Sequence, residues 1–224
     1  MPARLQSPVS DMFEYLAPEM PFTTRLILAN RWLFEPLLLR RLSNGLTTNA
    51  SIRSTITPTI IAGGVKANVI PQVATAVVNV RLLPGDAVDD ILRHITETTG
   101  AVIGDDEQEH GHHDAEPELV IRRTREKIWE AAPVSKLSSP SFATLAQTIR
   151  QVFPDAAIAP GMVLGATDSR HYQDIADNTY RFVPMRLTNA DLSRIHGTNE
   201  RISIENYTEA IRFYVQLMRN TAIH

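Results

Sequence analysis

The sequence predicts an α/β protein built from two compact units, and three observations support this fold class. At 224 residues the chain is long enough for two small domains. Its first part places two strands rich in Thr, Val and Ile among helices, and its last part alternates helices with strands, as an α/β layer does. The Pro- and Ser-rich stretch "APVSKLSSPSF" separates the parts, so we place the boundary near Lys136 and predict domains at 1–136 and 137–224.

The composition excludes several classes of function. Lys and Arg number 22 and Asp and Glu 25, without a basic stripe, so we predict that the chain does not bind nucleic acid. Cysteine is absent, which excludes disulfides and leaves His, Asp and Glu as metal ligands. No signal peptide is recognised, and the most apolar segment, 26–39, is shorter than the roughly 20 residues that span a bilayer. We therefore expect a cytoplasmic protein that makes no membrane contact.

The first predicted elements are a helical hairpin and two strands. Residues 23–42 have a helical pattern of apolar side chains, in which Pro36 is expected to kink or restart the helix. Thr, Val and Ile then dominate 56–62 and 74–82, which predicts two strands. A Gly-Gly pair between these segments predicts a connecting turn.

A helix, a loop and a strand complete the first domain. Asp86 follows a Pro-Gly turn and is predicted to cap a helix that ends near Thr99. The acidic loop beyond it precedes a strand predicted at 119–125. Three histidines of this loop suit zinc or nickel, and the alternative is an exposed loop without fixed geometry. They are His110, His112 and His113.

The second domain is predicted to alternate helices with strands over a largely buried sheet. In chain order the predicted elements are a helix at 141–152, a strand at 156–164, a short helix at 168–175, a strand at 179–185 and a helix at 204–220.

Several catalytic signatures are absent, among them G-x-S-x-G, H-E-x-x-H, the P-loop and G-x-G-x-x-G. Asp168, Ser169 and His171 are the residue types of a serine-hydrolase triad. Triads are assembled from separated segments, so the adjacency of these three residues does not indicate one.

The stretch "LGATDSRHY" is predicted to be a strand-to-helix turn at the sheet edge where α/β proteins bind ligands. Gly165 permits close backbone approach, and the N–H groups that open the helix favour an anionic oxygen. Arg170 can bind a carboxylate through two parallel hydrogen bonds. The alternative is that Asp168 is an ordinary N-cap and Arg170 a surface charge.

Two further stretches hold candidate ligands. In "RIHGTNERI", His196 and Glu200 are four residues apart, but a catalytic zinc takes three protein ligands and a water, and no neighbour supplies the others. A solvated loop histidine is the alternative. In "GGVKANVIPQVATAVVNVRLLPGD", the Asn68 amide and the Arg81 guanidinium can bind a carbonyl and a carboxylate. The alternative is that Asn68 is an ordinary turn residue and Arg81 a charge at the edge of a strand.

Three ordered blocks of sequence resemble the zinc-dependent peptidases and amidohydrolases that include carboxypeptidase S, aminoacylase and acetylornithine deacetylase. They are "GGVKANVIPQVATAVVNVRLLPGD", "APGMVLGATDSRHY" and "RIHGTNERISIENYTEAIRFYVQLM", and they are most similar to the branch of carboxypeptidase S and the N-fatty-acyl-amino-acid hydrolases. The resemblance implies the C-terminal part of a zinc exopeptidase-like three-layer α/β domain. An incomplete ferredoxin-like α+β lid, lacking its first strand, precedes it and dimerises.

The resemblance also implies roles for residues on each domain. His196 resembles the last zinc ligand of a two-zinc site, in the same block as Glu200. Arg170 resembles the arginine that binds the substrate carboxylate. The residues that resemble the wall around it are Gly165, Thr167 and Asp168. The lid residues that resemble those reaching the scissile carbonyl and the carboxylate are Asn68 and Arg81.

Relatives of this kind would bind an N-acyl amino acid or a dipeptide and activate a zinc-bound water with a glutamate. The family's His-x-Asp motif, bridging aspartate and Glu-Glu pair are not found here, so no catalytic residue is retained. We therefore expect this chain alone to be inactive and to form at most a partial zinc site. A missing lid strand would also leave unpaired backbone groups, so we expect rearrangement, swapping with another chain or association through the exposed edge. The resemblance implies a homodimer through the lid.

Two alternatives to a hydrolase fragment remain. One is a non-catalytic dimerisation or carboxylate-binding module derived from the family. The other is metal handling through the histidine-rich loop, which would survive the loss of His196 and fail without the loop histidines.

Overall fold

The computed structural model describes residues 1–104, 119–123 and 128–222, which form a mixed α/β structure with small sheets. The predicted α/β class is confirmed. The chain divides into two compact units, of which the first comprises Met1–Ser7 with Arg31–Pro133 and the second Pro8–Asn30 with Val134–His224. The assignment of residues 8–30 to the second unit differs from the linear domain ranges, which stay a prediction.

Helices and two small sheets make up the described structure. The helices are α1 Val9–Leu16, α2 Phe22–Ala29, α3 Arg31–Ser43, α4 Leu46–Ala50, α5 Val88–Thr99, α6 Pro140–Val152, α7 Asn189–Leu192 and α8 Ile204–Thr221, with short 3-10 helices at Ala17–Glu19 and Asp168–Tyr172. The strands are β1 Thr55–Gly63, β2 Ala74–Arg81, β3 Val102–Ile103 and β4 Val120–Ile121. Among the residues that the structure describes, no helix is both long and apolar enough to cross a membrane.

The two predicted strands of the first unit are confirmed as an antiparallel hairpin of β1 and β2. The register shifts between Pro58 and Ile60, since proline cannot donate to the ladder and the strand bulges beside it. Directly paired residues share a face. One face is therefore apolar, and we call it the hairpin face: Ile56, Pro58, Ile61, Gly63, Ala74, Ala76, Val78 and Val80.

A buried carboxylate ties the base of this hairpin together. Asp86 accepts a hydrogen bond of 2.5 Å from the Ser54 hydroxyl and another from Arg4, and the Leu83 N–H donates to the same hydroxyl at 2.7 Å. The N-cap position of α5 is Ala87, so the prediction that Asp86 caps this helix is wrong. A buried carboxylate needs strong donors, and the Ser54 hydroxyl and Arg4 supply them.

The restart predicted at Pro36 is wrong, because helix α3 continues through this residue, whereas a kink there stays a prediction. Helix α2 ends at Ala29, with Asn30 at its C-cap position. The Asn30 side chain donates to the Leu26 carbonyl at 2.8 Å, and the Asn30 N–H reaches the same oxygen at 3.2 Å. The two helices fall in different units.

The core of the second unit lies where α6 packs on α8. The hydroxyls of Ser139 and Ser203 cap these two helices. The most buried side chain of the core is Phe213, at 2% exposure, with the ring of Phe182 centred 5.0 Å away. The other core side chains are Leu145, Ile149, Val152, Phe153, Ile158 and Leu217.

The strands predicted at 156–164 and 179–185 are not observed, because neither segment has a partner strand among the described residues. Side chains hold the second segment instead. The Thr179 N–H donates to the Ser135 hydroxyl at 2.8 Å, and the Lys136 N–H donates to the Asn178 amide oxygen at 2.7 Å. The sheet predicted for this domain is thus absent from the described second unit.

Arg186 anchors the same segment to α8. Its guanidinium forms two parallel hydrogen bonds to Asp155, of 2.7 and 2.8 Å, and its Nε lies 3.3 Å from Glu209. The side-chain amide of Asn206 bonds both backbone groups of Arg186, at 2.9 and 3.0 Å. Hydrogen bonding to this arginine lowers the pKa of Asp155 to about 2.

We expect Asp155→Asn to reduce the stability of the second unit near neutral pH and to have little effect at low pH. Because the pKa of Asp155 is lowered from 3.8 to about 2 in the folded state, its stabilisation is present above about pH 4 and is lost as the pH falls towards about 2. Urea unfolding across this range, read from α8 amide signals, measures the difference. Asp174→Asn removes an exposed carboxylate of the same unit as a control, and an identical pH dependence in both variants would contradict the prediction.

Candidate functional site

The predicted ligand loop forms a short polar turn. The 3-10 helix Asp168–Tyr172 occupies the start of the helix predicted at 168–175. The N-cap position is Thr167, which makes no side-chain cap. The alternative prediction that Asp168 is an ordinary N-cap is therefore wrong. The Arg170 N–H reaches the Thr167 carbonyl at a long 3.4 Å. The bond that opens the turn is therefore at the long end of hydrogen-bond distances.

Arg181 braces the turn from a distant part of the sequence. Its Nε donates to the Thr167 hydroxyl at 3.0 Å and to the Ser169 hydroxyl at 2.7 Å, and the two hydroxyls lie 2.5 Å apart. Sequence reasoning missed Arg181, which lay inside a predicted strand. No local pattern signals a contact between segments that are joined only by the fold.

Gly165 and Arg170 lie at the surface of this loop. A Cβ placed on Gly165 would meet nothing within 4 Å, so the fold of the chain does not itself require glycine there. Close approach of a ligand to the Gly165 backbone stays a prediction. The Arg170 side chain is exposed, with its Nε 3.4 Å from the His171 ring nitrogen Nε2.

His196 lies in a strained turn. Its φ is 59°, in the left-handed region that non-glycine residues rarely adopt, and Asn199 follows with φ 62°. The Gly197 N–H donates to the Arg194 carbonyl at 2.8 Å, and a Cβ on Gly197 would lie 3.3 Å from that oxygen. The side chain of His196 is exposed.

A reciprocal cap fixes the chain before this turn. The Thr188 N–H donates to Asp191 at 2.9 Å, while the Asp191 N–H reaches the Thr188 hydroxyl at 3.3 Å. The hydrogen bonds from the hydroxyl and the N–H of Thr188 lower the pKa of Asp191. Arg194 donates to the same carboxylate at 2.9 Å, which joins the cap to the segment carrying His196.

No group of three or more His, Asp or Glu side chains within the described ranges, 1–104, 119–123 and 128–222, has the geometry to hold a metal ion. An imidazole is a donor that suits zinc, but a catalytic zinc needs three protein ligands. A metal at His196 would therefore need ligands beyond this described set. The loop histidines His110, His112 and His113 lie outside the described residues.

Asn68 and Arg81 lie in the first unit. Asn68 is exposed in the connection between β1 and β2, and Arg81 ends β2 opposite Thr55, on the side away from the hairpin face. The structure thus gathers the loop residues of the second unit into one turn and places these two residues on the other unit.

The sequence is similar to a known peptidase family and to several of its members. Residues 12–107 match the sequence profile described as a peptidase dimerisation domain of the M20 type. The chain is 40% identical to a probable carboxypeptidase S-like 2 of Dictyostelium discoideum over 94% of its own length and 37% of that protein. It is 39% identical to the N-fatty-acyl-amino acid synthase/hydrolase PM20D1 of Xenopus tropicalis, over 96% of this chain and 39% of that one.

A more distant relative is carboxypeptidase S of Saccharomyces cerevisiae, which is 30% identical over 82% of this chain and 34% of the yeast protein. The chain spans roughly two fifths of the length of the Dictyostelium and Xenopus relatives. No solved structure matches the chain significantly.

We expect His196→Gly to be more stable than His196→Ala by about 1 kcal/mol, because glycine adopts the left-handed conformation without a Cβ clash. Both variants lose the imidazole, so their difference isolates the backbone strain at φ 59°. Urea unfolding of the two variants provides the measurement. Equal stability, or a more stable alanine variant, would show that the turn does not carry this strain.

Proposed function

We propose that this chain takes part in amide hydrolysis, because it carries the M20 peptidase dimerisation domain and is homologous to carboxypeptidase S-like proteins and N-fatty-acyl-amino acid hydrolases. The proposed substrates are N-acyl amino acids or dipeptides. This chain would contribute the dimerisation domain, the binding site for the substrate carboxylate and one metal ligand. On its own it would be inactive, because it retains no general base.

The arrangement of the loop at 165–170 supports the proposal most directly. It presents an exposed guanidinium on a short turn whose hydroxyls are braced by a second arginine. Guanidinium groups bind carboxylates through two parallel charge-assisted bonds. Arg170 would hold the substrate carboxylate, with Gly165, Thr167 and Asp168 forming the wall beside it.

M20 peptidases are generally metal-dependent, and zinc is the metal that we propose here. His196 would be a ligand of one of two zinc ions in the complete site, where zinc would polarise the scissile carbonyl and supply a bound water. Its strained backbone is consistent with a functional position, because local strain clusters at such sites. The part played by this chain's own residues would be to hold the metal and orient the substrate.

Asn68 and Arg81 would contribute from the lid, where we propose that they contact the scissile carbonyl and the carboxylate. An amide N–H donates to a carbonyl oxygen as negative charge develops there. A guanidinium beside the carboxylate adds a second favourable charge.

A homodimer is the proposed assembly, since the dimerisation domain implies homodimers in this family. The match at 12–107 includes both strands of the hairpin. Isolated two-stranded hairpins are marginally stable in water, and the hairpin face exposes Ile61 at 80% and Val78 at 41%. A second copy that covers this face would remove that apolar surface from water.

A non-catalytic carboxylate-binding module is the second candidate. The observation in its favour is that the described residues contain no group able to hold a metal. Turnover separates the two candidates. Metal-dependent hydrolysis of an N-acyl amino acid by any longer natural product of this gene would support the hydrolase, whereas binding without turnover would support the module.

We expect the chain to bind N-acetyl-L-leucine but not N-acetyl-L-leucine amide, because only the former carries the carboxylate. Arg170→Ala should weaken this binding about tenfold to a hundredfold, the value of a hydrogen bond to a charged group. Isothermal titration calorimetry measures the affinities. Arg150→Ala, which removes an exposed cation on α6, is the control. Equal affinity for the acid and the amide would exclude the proposed carboxylate contact.

We expect the wild-type chain to form dimers that Ile61→Lys and Val78→Lys convert to monomers. A lysine on the hairpin face cannot be buried without a partner for its charge. Size-exclusion chromatography with light scattering measures the mass. Thr57→Lys, on the opposite face of β1, should remain dimeric. A monomeric wild-type chain, or dimers in all variants, would contradict this interface.

A further inference from the structure

We propose that Arg181 is the positioning residue of the carboxylate-binding turn, acting on Arg170 through the hydroxyls of Thr167 and Ser169. This inference deepens the proposed function and rests on it for the role of Arg170. Arg181 itself does not need to touch the ligand. Its task is to hold the turn in the conformation that presents Arg170.

The turn opens with a long backbone hydrogen bond and without a side-chain cap. A 3-10 helix has poorer hydrogen-bond geometry than an α-helix. Here the bond that opens it, from the Arg170 N–H to the Thr167 carbonyl, is 3.4 Å long. Thr167 occupies the N-cap position but gives no side-chain cap. The opening of this turn is therefore a place where side-chain hydrogen bonds from another segment can add order.

The Arg181 side chain adds hydrogen bonds to the opening of this turn. Its Nε–H is shared between the Thr167 and Ser169 hydroxyls, at 3.0 and 2.7 Å. The hydroxyls lie 2.5 Å apart, so one donates to the other while both accept from the cation. These contacts fix the residues on either side of Asp168, and Arg170 follows directly. A charged donor makes such bonds stronger than neutral ones.

The charge environment of Arg181 differs from that of Arg186. Arg186 is paired with Asp155 and Glu209, which compensate its charge. Arg181 enters no carboxylate ion pair among the described residues, and it donates hydrogen bonds to two neutral hydroxyls. It therefore braces the turn without bringing in a carboxylate that would compete with a substrate for Arg170. A positive charge beside the loop also favours an anionic ligand.

The test compares Arg181→Gln, Arg181→Lys and the double variant Thr167→Val/Ser169→Ala in the 224-residue chain. Amide exchange across 168–172 and the NMR signal of the Arg170 Nε–H report the order of the turn without any ligand. Calorimetry with N-acetyl-L-leucine reports binding. Unchanged exchange of the α8 amides shows that each variant has kept its fold.

Arg181→Gln and the hydroxyl double variant should each accelerate exchange across the turn about tenfold and weaken binding to a similar degree. Combining them should add little, because both changes remove one interaction. Arg181→Lys should recover part of each effect, since its ammonium can still donate to a hydroxyl. A merely structural surface arginine would show neither this rescue nor the non-additivity.

The inference is overturned if Arg181→Gln leaves the turn exchange and the Arg170 signal as in the wild type, or if its effects add fully to those of the double variant. Failure of the proposed function has a different result. In that case the turn would loosen in Arg181→Gln as expected, but the wild-type chain would not distinguish N-acetyl-L-leucine from its amide. Arg181 would then brace a turn that does not bind carboxylates.

Discussion

The contact of Arg186 with Asp155 is the constraint on which the second unit depends. Between α6 and α8 the chain runs through a long segment without a sheet in its described part, so backbone ladders do not fix its path. Arg186 fixes it by joining this segment to Asp155 and to Glu209 of α8. Arg181 precedes this anchor and His196 follows it. The order of the candidate site therefore depends on this guanidinium, on the contacts of Arg181 with the turn and on the α6–α8 core.

In the first unit, a buried carboxylate holds together segments that lie apart in the sequence. A hairpin exposed on both faces gains little stability from burial, so its ends must be held by other means. Asp86 holds them, because it joins Ser54 before β1 to the turn after β2. In both units a charged group with several hydrogen bonds joins segments that lie apart in the sequence. Such networks specify a conformation as long as every member is satisfied.

The sequence is informative where structure is determined locally. Ser139 and Ser203 cap the helices whose apolar periodicity predicts them, and the Thr-, Val- and Ile-rich segments form the hairpin. Prediction from the sequence is wrong where a side chain can bond either to a local or to a distant partner. Asp86 is a good N-cap by position, yet Ser54 and Arg4 take its carboxylate. The strands at 156–164 and 179–185 fail for a related reason, since a strand pattern records burial but a strand requires a partner.

The same distinction explains which part of the candidate site the sequence reveals. The sequence identifies Arg170 and His196 because their blocks resemble a known family. It does not distinguish Arg181, which donates to hydroxyls, from Arg186, which pairs with carboxylates. Only their partners separate them. A guanidinium already paired with Asp155 and Glu209 has little to gain from another carboxylate, because it would exchange one such contact for another. Arg181 is held by neutral hydroxyls and keeps its charge uncompensated among the described residues. The loop at 165–170 is accordingly where we infer that an anionic substrate would find the more favourable potential.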